Sequence, residues 1–326
     1  MTTIAVLGSA NMDLVVRQSR LPLPGETIFG SGFSTVPGGK GLNQAVAAAR
    51  LGGSVEFLGA VGSDSYGSEL RSLMETEGIR TAGLATTDAP TGTAHISVVD
   101  TGENSIVVVS GANATVTTLS DAQRASVEAC GYLVMQCELP LSVLVEGIAL
   151  ARAAGAFTVL TPAPVMPLPE GFLASVDLIV PNQIEAAELT GESDPVKAAE
   201  ALSAGNTWAI VTLGSQGSVI AHNGTVLGVA PARPVTAIDT TAAGDTFVGS
   251  LVARLASRGV ATGAGAAGAA GATSAGAPAA GATQAPTEDE MIDAVRWATT
   301  ASSVSVTRAG ATTSMPTLAE VAAILA

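Results

Sequence analysis

The residues with the clearest chemical potential are 239–245, which read Asp-Thr-Thr-Ala-Ala-Gly-Asp and precede an apolar, helix-like run. The small residues Ala242, Ala243 and Gly244 let a ligand approach the backbone, and the first N–H groups of a helix are free to bind an anion. Asp245 stands beside them as a candidate base. A base next to an anion-binding loop is what phosphoryl transfer to a hydroxyl group requires.

A second candidate motif, 37–44, places several glycines around Lys40 and Asn43 at the start of a helical pattern. Lys40 is one of only two lysines in the chain, and the Asn43 amide offers both a donor and an acceptor. The motif is not a Walker A loop, because no serine or threonine follows the lysine. Taken alone, a glycine-rich turn with an exposed lysine remains the structural alternative.

Polar side chains follow several predicted strands, where ligands bind in open α/β sheets. Asn11 and Asp13 follow the first strand and are suited either to grip adjacent sugar hydroxyls or to form an Asx-type turn. Glu138 follows a later strand. Asn182 and Glu185 follow another, where they are equally typical of residues that cap a helix N-terminus.

Three further segments carry weaker signals. Residues 212–217 end a predicted strand with a glycine-rich turn that could cradle a phosphate or a purine. Arg308 follows a predicted helix, 293–306, and is interpreted either as a surface charge or as a neighbour of the anion site. Residues 263–268 match the dinucleotide-binding fingerprint by letter, but no strand precedes them, so we interpret the match as an accident of composition.

Composition narrows the class of protein. The 326 residues carry a net charge of −14, and an acidic chain without a basic stripe argues against nucleic acid as a partner. Two cysteines are too few for a disulfide framework, and two histidines without a cysteine cluster argue against zinc. The N-terminus is typical of a strand rather than a signal peptide, and the longest uncharged stretch is too rich in glycine and proline to span a membrane. We therefore expect a cytoplasmic protein.

Short apolar runs alternate with helical patterns along most of the chain. The predicted strands are Ile4–Leu7, Val55–Val61, Tyr132–Gln136, Thr158–Leu160, Leu178–Val180 and Trp208–Thr212. The predicted helices are Asn43–Leu51, Gly67–Glu77, Leu141–Ala154, Ile184–Leu189 and Val196–Ser203. This alternation predicts one α/β domain with a mostly parallel central sheet covered by helices on both faces, a three-layer α/β/α fold.

Two segments, 14–36 and 91–109, break the alternation with strand patterns and turns. They predict a small extra sheet that lies as a lid over the C-terminal ends of the parallel strands. Residues 263–286 contain only Gly, Ala, Ser, Thr, Gln and Pro, a composition that predicts a flexible insert.

Taken together, these motifs resemble the ribokinase family of carbohydrate kinases over nearly the whole chain apart from the insert. The segments that carry the resemblance are Gly8–Asp13, Pro24–Thr27, Gly38–Ala45, Gly62–Gly67, Gly111–Ala114, Met135–Glu138, Pro181–Glu185, Thr212–Gly217 and Asp239–Asp245. The resemblance implies the three-layer fold, with a β-sheet lid that also forms a homodimer interface.

The resemblance also implies a role for each site residue. Asp245 would take the proton from a primary sugar hydroxyl while the amides of Ala242, Ala243 and Gly244 hold the developing charge. The residues implied to hold the sugar, besides Asp245, are Asn11, Met12, Asp13, Gly39, Lys40, Gly41, Asn43 and Glu138. ATP would meet Asn182, Glu185, Thr212, Leu213, Gly214, Ser215, Gln216, Gly217, Gly244 and Thr299, with Glu185 acting through Mg²⁺-bound water. A monovalent cation, usually K⁺, would be ringed, largely by backbone oxygens, by Asp239, Thr241, Ser305, Arg308, Gly310 and Ser314.

The implied activity is ATP-dependent phosphorylation of D-ribose at its 5-hydroxyl, which feeds ribose catabolism and nucleotide synthesis. Two positions depart from the family pattern, since Thr161 replaces a frequent Asn, and Thr299 replaces an Asn or His. Alternatives are a related kinase of deoxyribose, a nucleoside or another sugar, and an inactive sugar-binding regulator, which the intact Asp245 and Gly244 disfavour. A nicotinamide dehydrogenase is disfavoured because no glycine-rich turn follows the first strand.

Overall fold

A nine-stranded sheet forms the centre of the protein in a computed structural model that describes residues 2–205, 207–258 and 283–326. From edge to edge its strands are β13 (Thr225–Ala230), β12 (Ser218–His222), β11 (Trp208–Thr212), β10 (Leu178–Ile179), β9 (Phe157–Thr161), β8 (Tyr132–Gln136), β1 (Thr3–Leu7), β4 (Ser54–Gly62) and β5 (Leu84–Thr87). Neighbours from β11 to β5 are parallel, whereas β12 and β13 add an antiparallel edge. The strands of the parallel part therefore end at one common edge.

Helices cover both faces of this sheet. They are α1 (Lys40–Arg50), α2 (Ser65–Thr76), α3 (Asp121–Ala129), α4 (Leu141–Ala154), α5 (Gln183–Thr190), α6 (Pro195–Leu202), α7 (Ala243–Arg258), α8 (Glu288–Ser305) and α9 (Leu318–Leu325). In β1, Ile4 and Val6 pack into the apolar cluster of α1, α7 and α8, while Ala5 and Leu7 pack into that of α3 and α4. Strand residues that alternate between two apolar layers confirm the three-layer α/β/α prediction.

The two strand-rich segments pair with each other in a separate four-stranded sheet. Its order is β3 (Gly32–Gly38), β2 (Asn11–Gln18), β6 (Gly92–Val99) and β7 (Asn104–Val109). The β2–β6 pair is parallel and the two outer pairs are antiparallel. The strand β2 begins at Asn11 rather than at the predicted residue 14, so Asn11 and Asp13 belong to this small sheet and not to a turn after β1.

Two predicted helix starts were also wrong. The helix α1 begins at Lys40, three residues before the predicted Asn43, and α8 begins at Glu288 rather than Asp293. The glycine run before Asn43 is typical of a loop, but Gly41 belongs to the first helical turn because only a glycine fits there. A Cβ at Gly41 would lie 2.6 Å from the Ser9 nitrogen.

Most of the predicted insert, residues 263–282, lies outside the described residues. The last residues of the insert, 283–286, are described, and the Thr283 N–H donates to the Gly155 carbonyl at 2.9 Å. Within the described ranges, no helix has the length and apolar character needed to cross a membrane.

A close contact between α1 and α7 brings together the two motifs that carry the chemistry. Gly249 of α7 faces the backbone of α1, and a Cβ there would lie 2.4 Å from the Gln44 carbonyl oxygen and 2.7 Å from the Ala47 Cβ. The absence of a side chain at Gly249 therefore sets how near the two helices approach.

Replacing Gly249 with alanine should separate α1 from α7. We expect Gly249→Ala to lower the free energy of unfolding by about 1–3 kcal/mol, because overpacking outweighs the higher helix propensity of alanine. Denaturant unfolding measures the change. Gly147→Ala in α4 is the matched control, because the nearest atom to its new Cβ is the end of the Leu7 side chain, at 2.9 Å, and not a backbone atom. Equal stability of the two variants would contradict this account.

Candidate active site

The Asp245 carboxylate lies in the first turn of α7, where only 7% of the residue is exposed. Its Oδ2 accepts a hydrogen bond from Asn43 Nδ2 at 3.0 Å, and its Oδ1 accepts one from Gln44 Nε2 at 3.0 Å. Both donors come from the first turn of α1. The two motifs found in the sequence therefore meet at one carboxylate, and the donor bonds favour its ionised form.

The loop before Asp245 has the form expected of an anion site. Ala242 takes a left-handed conformation, with φ of 56°, which is unfavourable for alanine and turns the chain into α7. The Ser302 hydroxyl of α8 donates to the Ala243 carbonyl at 2.7 Å and so links the loop to α8. A Cβ at Gly244 would meet only open space, so a ligand can approach the backbone there.

A ring of polar side chains lies on the small-sheet side of Asp245. Glu138 Oε2 accepts hydrogen bonds from the Ser9 hydroxyl and from the Lys40 N–H, the latter at 3.0 Å. Asn11 Oδ1 accepts from Asn113 Nδ2 at 2.7 Å. Asn43 Oδ1 is buried and has no hydrogen-bond partner among the described residues, so it is free to accept from a ligand hydroxyl.

The remaining residues of the predicted sugar set shape this ring rather than line it with functional groups. Met12 is fully buried in the core. Gly39, with φ of 91°, is the residue before α1, and Gly41 packs on the Ser9 backbone. These glycines hold Lys40 and Asn43 at the start of the helix.

Three carboxylates share the site with one lysine. Burial raises the pKa of Asp13 to about 7, and the negative charges of Glu138 and Asp245 add to the effect. Burial also raises the pKa of Asp245, although Lys40 and the amide donors oppose the rise. Burial would lower the pKa of Lys40, but Asp245, Glu138 and Glu185 outweigh it, so that pKa is raised and the lysine stays charged.

Two cavities adjoin Asp245 and share the wall formed by Gly244. One cavity, of about 390 Å³, is lined by Lys40, Thr161, Asn182, Glu185 and Asp245. The other, of about 310 Å³, lies between the turn after β11 and the N-terminal end of α7. Ala243 and Gly244, at the N-terminus of α7, line both cavities.

The predicted nucleotide residues divide between these cavities. Those that line the second cavity are Thr212, Gly214, Ser215, Gly217, Gly244 and Thr299. Leu213 and Gln216 do not line either cavity, because the Leu213 side chain packs against the core and the Gln216 N–H closes the turn on the Leu213 carbonyl.

Asn182 and Glu185 form a capping box at the start of α5. Asn182 Oδ1 accepts from the Glu185 N–H at 2.9 Å, and Glu185 Oε2 accepts from the Asn182 N–H at 2.8 Å. Both residues also line the first cavity. The capping and binding interpretations of this motif are therefore compatible.

The residues predicted to bind a monovalent cation lie in two segments, 239–241 and 305–314, which a hydrogen bond joins. Asp239 Oδ1 accepts from the Thr241 N–H at 2.9 Å, and Asp239 Oδ2 accepts from the Gly310 N–H at 2.8 Å. The Arg308 guanidinium pairs with Glu320, so its side chain is a surface charge. Ser305 and Ser314 hydroxyls each donate to a carbonyl in their own turn.

Sequence reasoning missed several residues of the site. Thr240, Phe247, Ser302 and the segment 232–237 line the second cavity, and Gln44 contacts Asp245. The segment carries Pro234 and directly follows Pro231 at the end of an apolar strand, which is a signal of extended chain that could have been used.

A buried base, an anion-binding helix start and a two-part cleft define a phosphotransferase that acts on an alcohol group. The chain belongs to the pfkB family of carbohydrate kinases, whose family model matches residues 1–318.

Relatives of similar length support this assignment. The chain is 36% identical to the ribokinase of Haemophilus influenzae, over 98% of this chain and 96% of that one, and 36% identical to the ribokinase of Schizosaccharomyces pombe, over 98% and 97%. Its fold matches Thermotoga maritima ribokinase with a TM-score of 0.83, 31% identity and coverage of 100% and 99%. Arabidopsis thaliana ribokinase complexed with ribose and ATP matches with a TM-score of 0.84, 28% identity and coverage of 99% and 98%.

Replacing Asp13 with asparagine should stabilise the unliganded protein. The pKa of Asp13 is higher in the folded protein than its usual 3.8, so this carboxyl lowers stability as pH rises from about 4 to 7. At pH 8 we expect Asp13→Asn to raise the free energy of unfolding by on the order of 2 kcal/mol, with little change at pH 4. Urea unfolding at both values measures this, and a gain that is independent of pH would contradict it.

Proposed function

We propose that this protein transfers the γ-phosphoryl group of ATP to O5 of D-ribose in the cytoplasm. The observation that carries the proposal is the buried Asp245 carboxylate at the α7 N-terminus, which lines the first cavity next to Gly244, a residue that lines both. The ribokinases named above are similar along nearly the full chain, and one of them was solved with ribose and ATP.

The sugar would occupy the polar ring beside the first cavity. The Asp13 and Glu138 carboxylates accept hydrogen bonds from hydroxyl groups, and the Lys40 ammonium donates to them. The unpartnered Asn43 Oδ1 takes a further hydroxyl hydrogen. Asp245 then removes the proton of the primary hydroxyl as its oxygen attacks the γ-phosphorus, and the amides of 242–245 stabilise the charge on the transferred group.

The nucleotide would occupy the second cavity, with its phosphates directed to the α7 N-terminus. Glu185 fits a role toward Mg²⁺, because Oε2 is used by the capping box while Oε1 accepts no hydrogen bond from a described residue. Magnesium is held in such sites by one or two carboxylates together with substrate phosphates and water. The ion would supply neutralisation of phosphate charge.

A K⁺ ion would be held between the segments 239–241 and 305–314. The hydrogen bonds of Asp239 to Thr241 and Gly310 join these segments just before the anion-binding loop. Backbone oxygens in such a ring suit a weakly hydrated monovalent cation. Binding there would stabilise the turn that leads into Asp245.

The function is tested by measuring ADP release with ribose, deoxyribose, fructose and nucleosides, each with and without K⁺. We expect ribose to give the highest kcat/KM and K⁺ to raise it. A preference for any other acceptor would rule out ribose as the substrate and assign the protein as a kinase of the same family that acts on that acceptor.

Replacing Asp245 with asparagine should abolish turnover while sugar binding persists. The variant keeps the shape of the site but lacks the base, a loss on the order of 10²–10⁴-fold in kcat. Calorimetry of ribose binding provides the control for folding. A variant with near-normal kcat would sink the proposed mechanism.

The small sheet would act as a lid over the sugar and as a homodimer interface. The edge strand β7 exposes four consecutive apolar residues, Ile106 to Val109, each about half exposed or more. An exposed apolar edge strand is a surface that natural proteins cover. A second copy of the chain, seated on this sheet, would bury it.

A charge on β7 should convert the dimer into monomers. In light scattering, we expect the unaltered protein at twice the chain mass and Val107→Asp at the chain mass, because pairing would bury the carboxylate. Val107 is 64% exposed, and Val229 on the edge strand β13, 57% exposed, provides a matched control as Val229→Asp. A Val107→Asp protein that remains dimeric would rule out this interface.

A further inference from the structure

Two fully buried glutamines adjoin Asp245, since Gln44 contacts its carboxylate and Gln136 contacts Gln44. Gln44 is in the first turn of α1, and Gln136 is the last residue of β8. Both are 0% exposed. Burying an amide is costly unless its groups are hydrogen-bonded. Gln44 has a partner for each of its groups, whereas Gln136 has a partner for Nε2 and none among the described residues for Oε1.

Both hydrogens of the Gln44 side-chain amide are donated to protein groups. Its Nε2 donates to Asp245 Oδ1 at 3.0 Å and to Thr161 Oγ1 at 3.2 Å. Its Oε1 accepts from Gln136 Nε2 at 2.7 Å. Because neither hydrogen of the amide is left for a ligand, Gln44 contacts the base and not the substrate.

The orientation of the Gln44 side-chain amide determines whether it donates a hydrogen bond to the Asp245 carboxylate or repels it. With the amide reversed, Oε1 would face the Asp245 carboxylate, and a donor bond would become a repulsion between two acceptors. Donation from Gln136 holds Oε1 on the far side and prevents this. Gln136 itself fits because position 8 is a glycine, where a Cβ would lie 2.2 Å from Gln136 Oε1.

We propose that Gln136 and Gln44 form a relay of two amides that positions the catalytic carboxylate, Gln136 by fixing the orientation of Gln44 and Gln44 by donating to Asp245. The inference rests on the proposed function, because it assigns these residues a role in the chemistry of Asp245. Thr161, where the family pattern often has asparagine, completes the relay by accepting the second hydrogen of Gln44.

The relay also bears on the ionisation of the base. Lys40, Glu138 and Asp13 are the charged groups that face Asp245, and only Lys40 favours its ionised form. Loss of the Gln44 donor would raise the pKa of Asp245 further. A base must be ionised to accept a proton, so the acid limb of the kcat profile would move to higher pH.

The test compares Gln136→Met, Gln44→Met and the double variant at saturating ribose and ATP. We expect Gln136→Met to lower kcat about tenfold and Gln44→Met to lower it at least as much, with both acid limbs at higher pH. The double variant should match Gln44→Met within about twofold, because residues of one network are not additive. Ribose Kd should change less than about threefold, since neither amide touches the sugar.

A matched control separates positioning from general loss of stability. Gln123 of α3 is also buried and donates to the Gly59 and Gly83 carbonyls, without a bond to this network. Gln123→Met should lower the melting temperature without moving the pH profile. If Gln136→Met does not fold, Gln44→Met together with Thr161→Val provides the same test of shifted acid limbs.

The side-chain amide signals of Gln44 give a readout that does not depend on turnover. In ¹⁵N-labelled protein without ligands, both hydrogens should shift as Asp245 titrates, and Gln136→Met should abolish that shift. The relay would be overturned if the kcat losses of the two single variants multiplied in the double variant, or if the acid limbs of the kcat profiles did not move. An unaltered enzyme with no activity on any sugar would instead overturn the proposed function, so the two failures are distinct.

Discussion

The site depends on keeping a carboxylate ionised where water has been removed. In the proposed reaction Asp245 would meet a hydroxyl group in a dry cleft, yet burial alone favours its neutral form, which could not act as a base. The compensation comes almost wholly from the first turn of α1, through Asn43, Gln44 and Lys40. The close approach of α1 and α7 across Gly249 is therefore a requirement of the chemistry as well as of packing.

The same helix start links the base to the small sheet. Strands β2 and β3 pair in a register that sets Asn11 opposite Gly38 and Asp13 opposite Val36, and α1 follows β3 after a single residue. Asn11, Asp13 and Lys40 thus lie at one end of this strand pair. A displacement of the small sheet would move the sugar residues and Lys40 together, which is a physical basis for coupling a lid to assembly of the site.

The sequence predicts local features well and long-range ones poorly. Leu141–Ala154 and Trp208–Thr212 have the predicted bounds, because apolar spacing and flanking turn residues act within a few positions. The bonds from Gln44 to Asp245 and from Gln136 to Gln44 span 201 and 92 residues. No spacing rule reports such bonds, and a glutamine in an apolar run has no local signal that separates a packed side chain from a positioning one.

The charge balance of the site constrains which sugars can enter. Asp13, Glu138 and Asp245 face one lysine, so the ring carries an excess of negative charge when all three are ionised. A neutral polyol meets this ring with hydroxyl donors, whereas a sugar that already bears a phosphate would bring two more negative charges into a dry cavity. The positive end of α7 lies on the other side of Asp245 and favours phosphate only there. In the proposed reaction, one buried carboxylate would therefore separate a region that selects hydroxyl groups from a region that binds anions, and phosphoryl transfer would take place at the boundary between them.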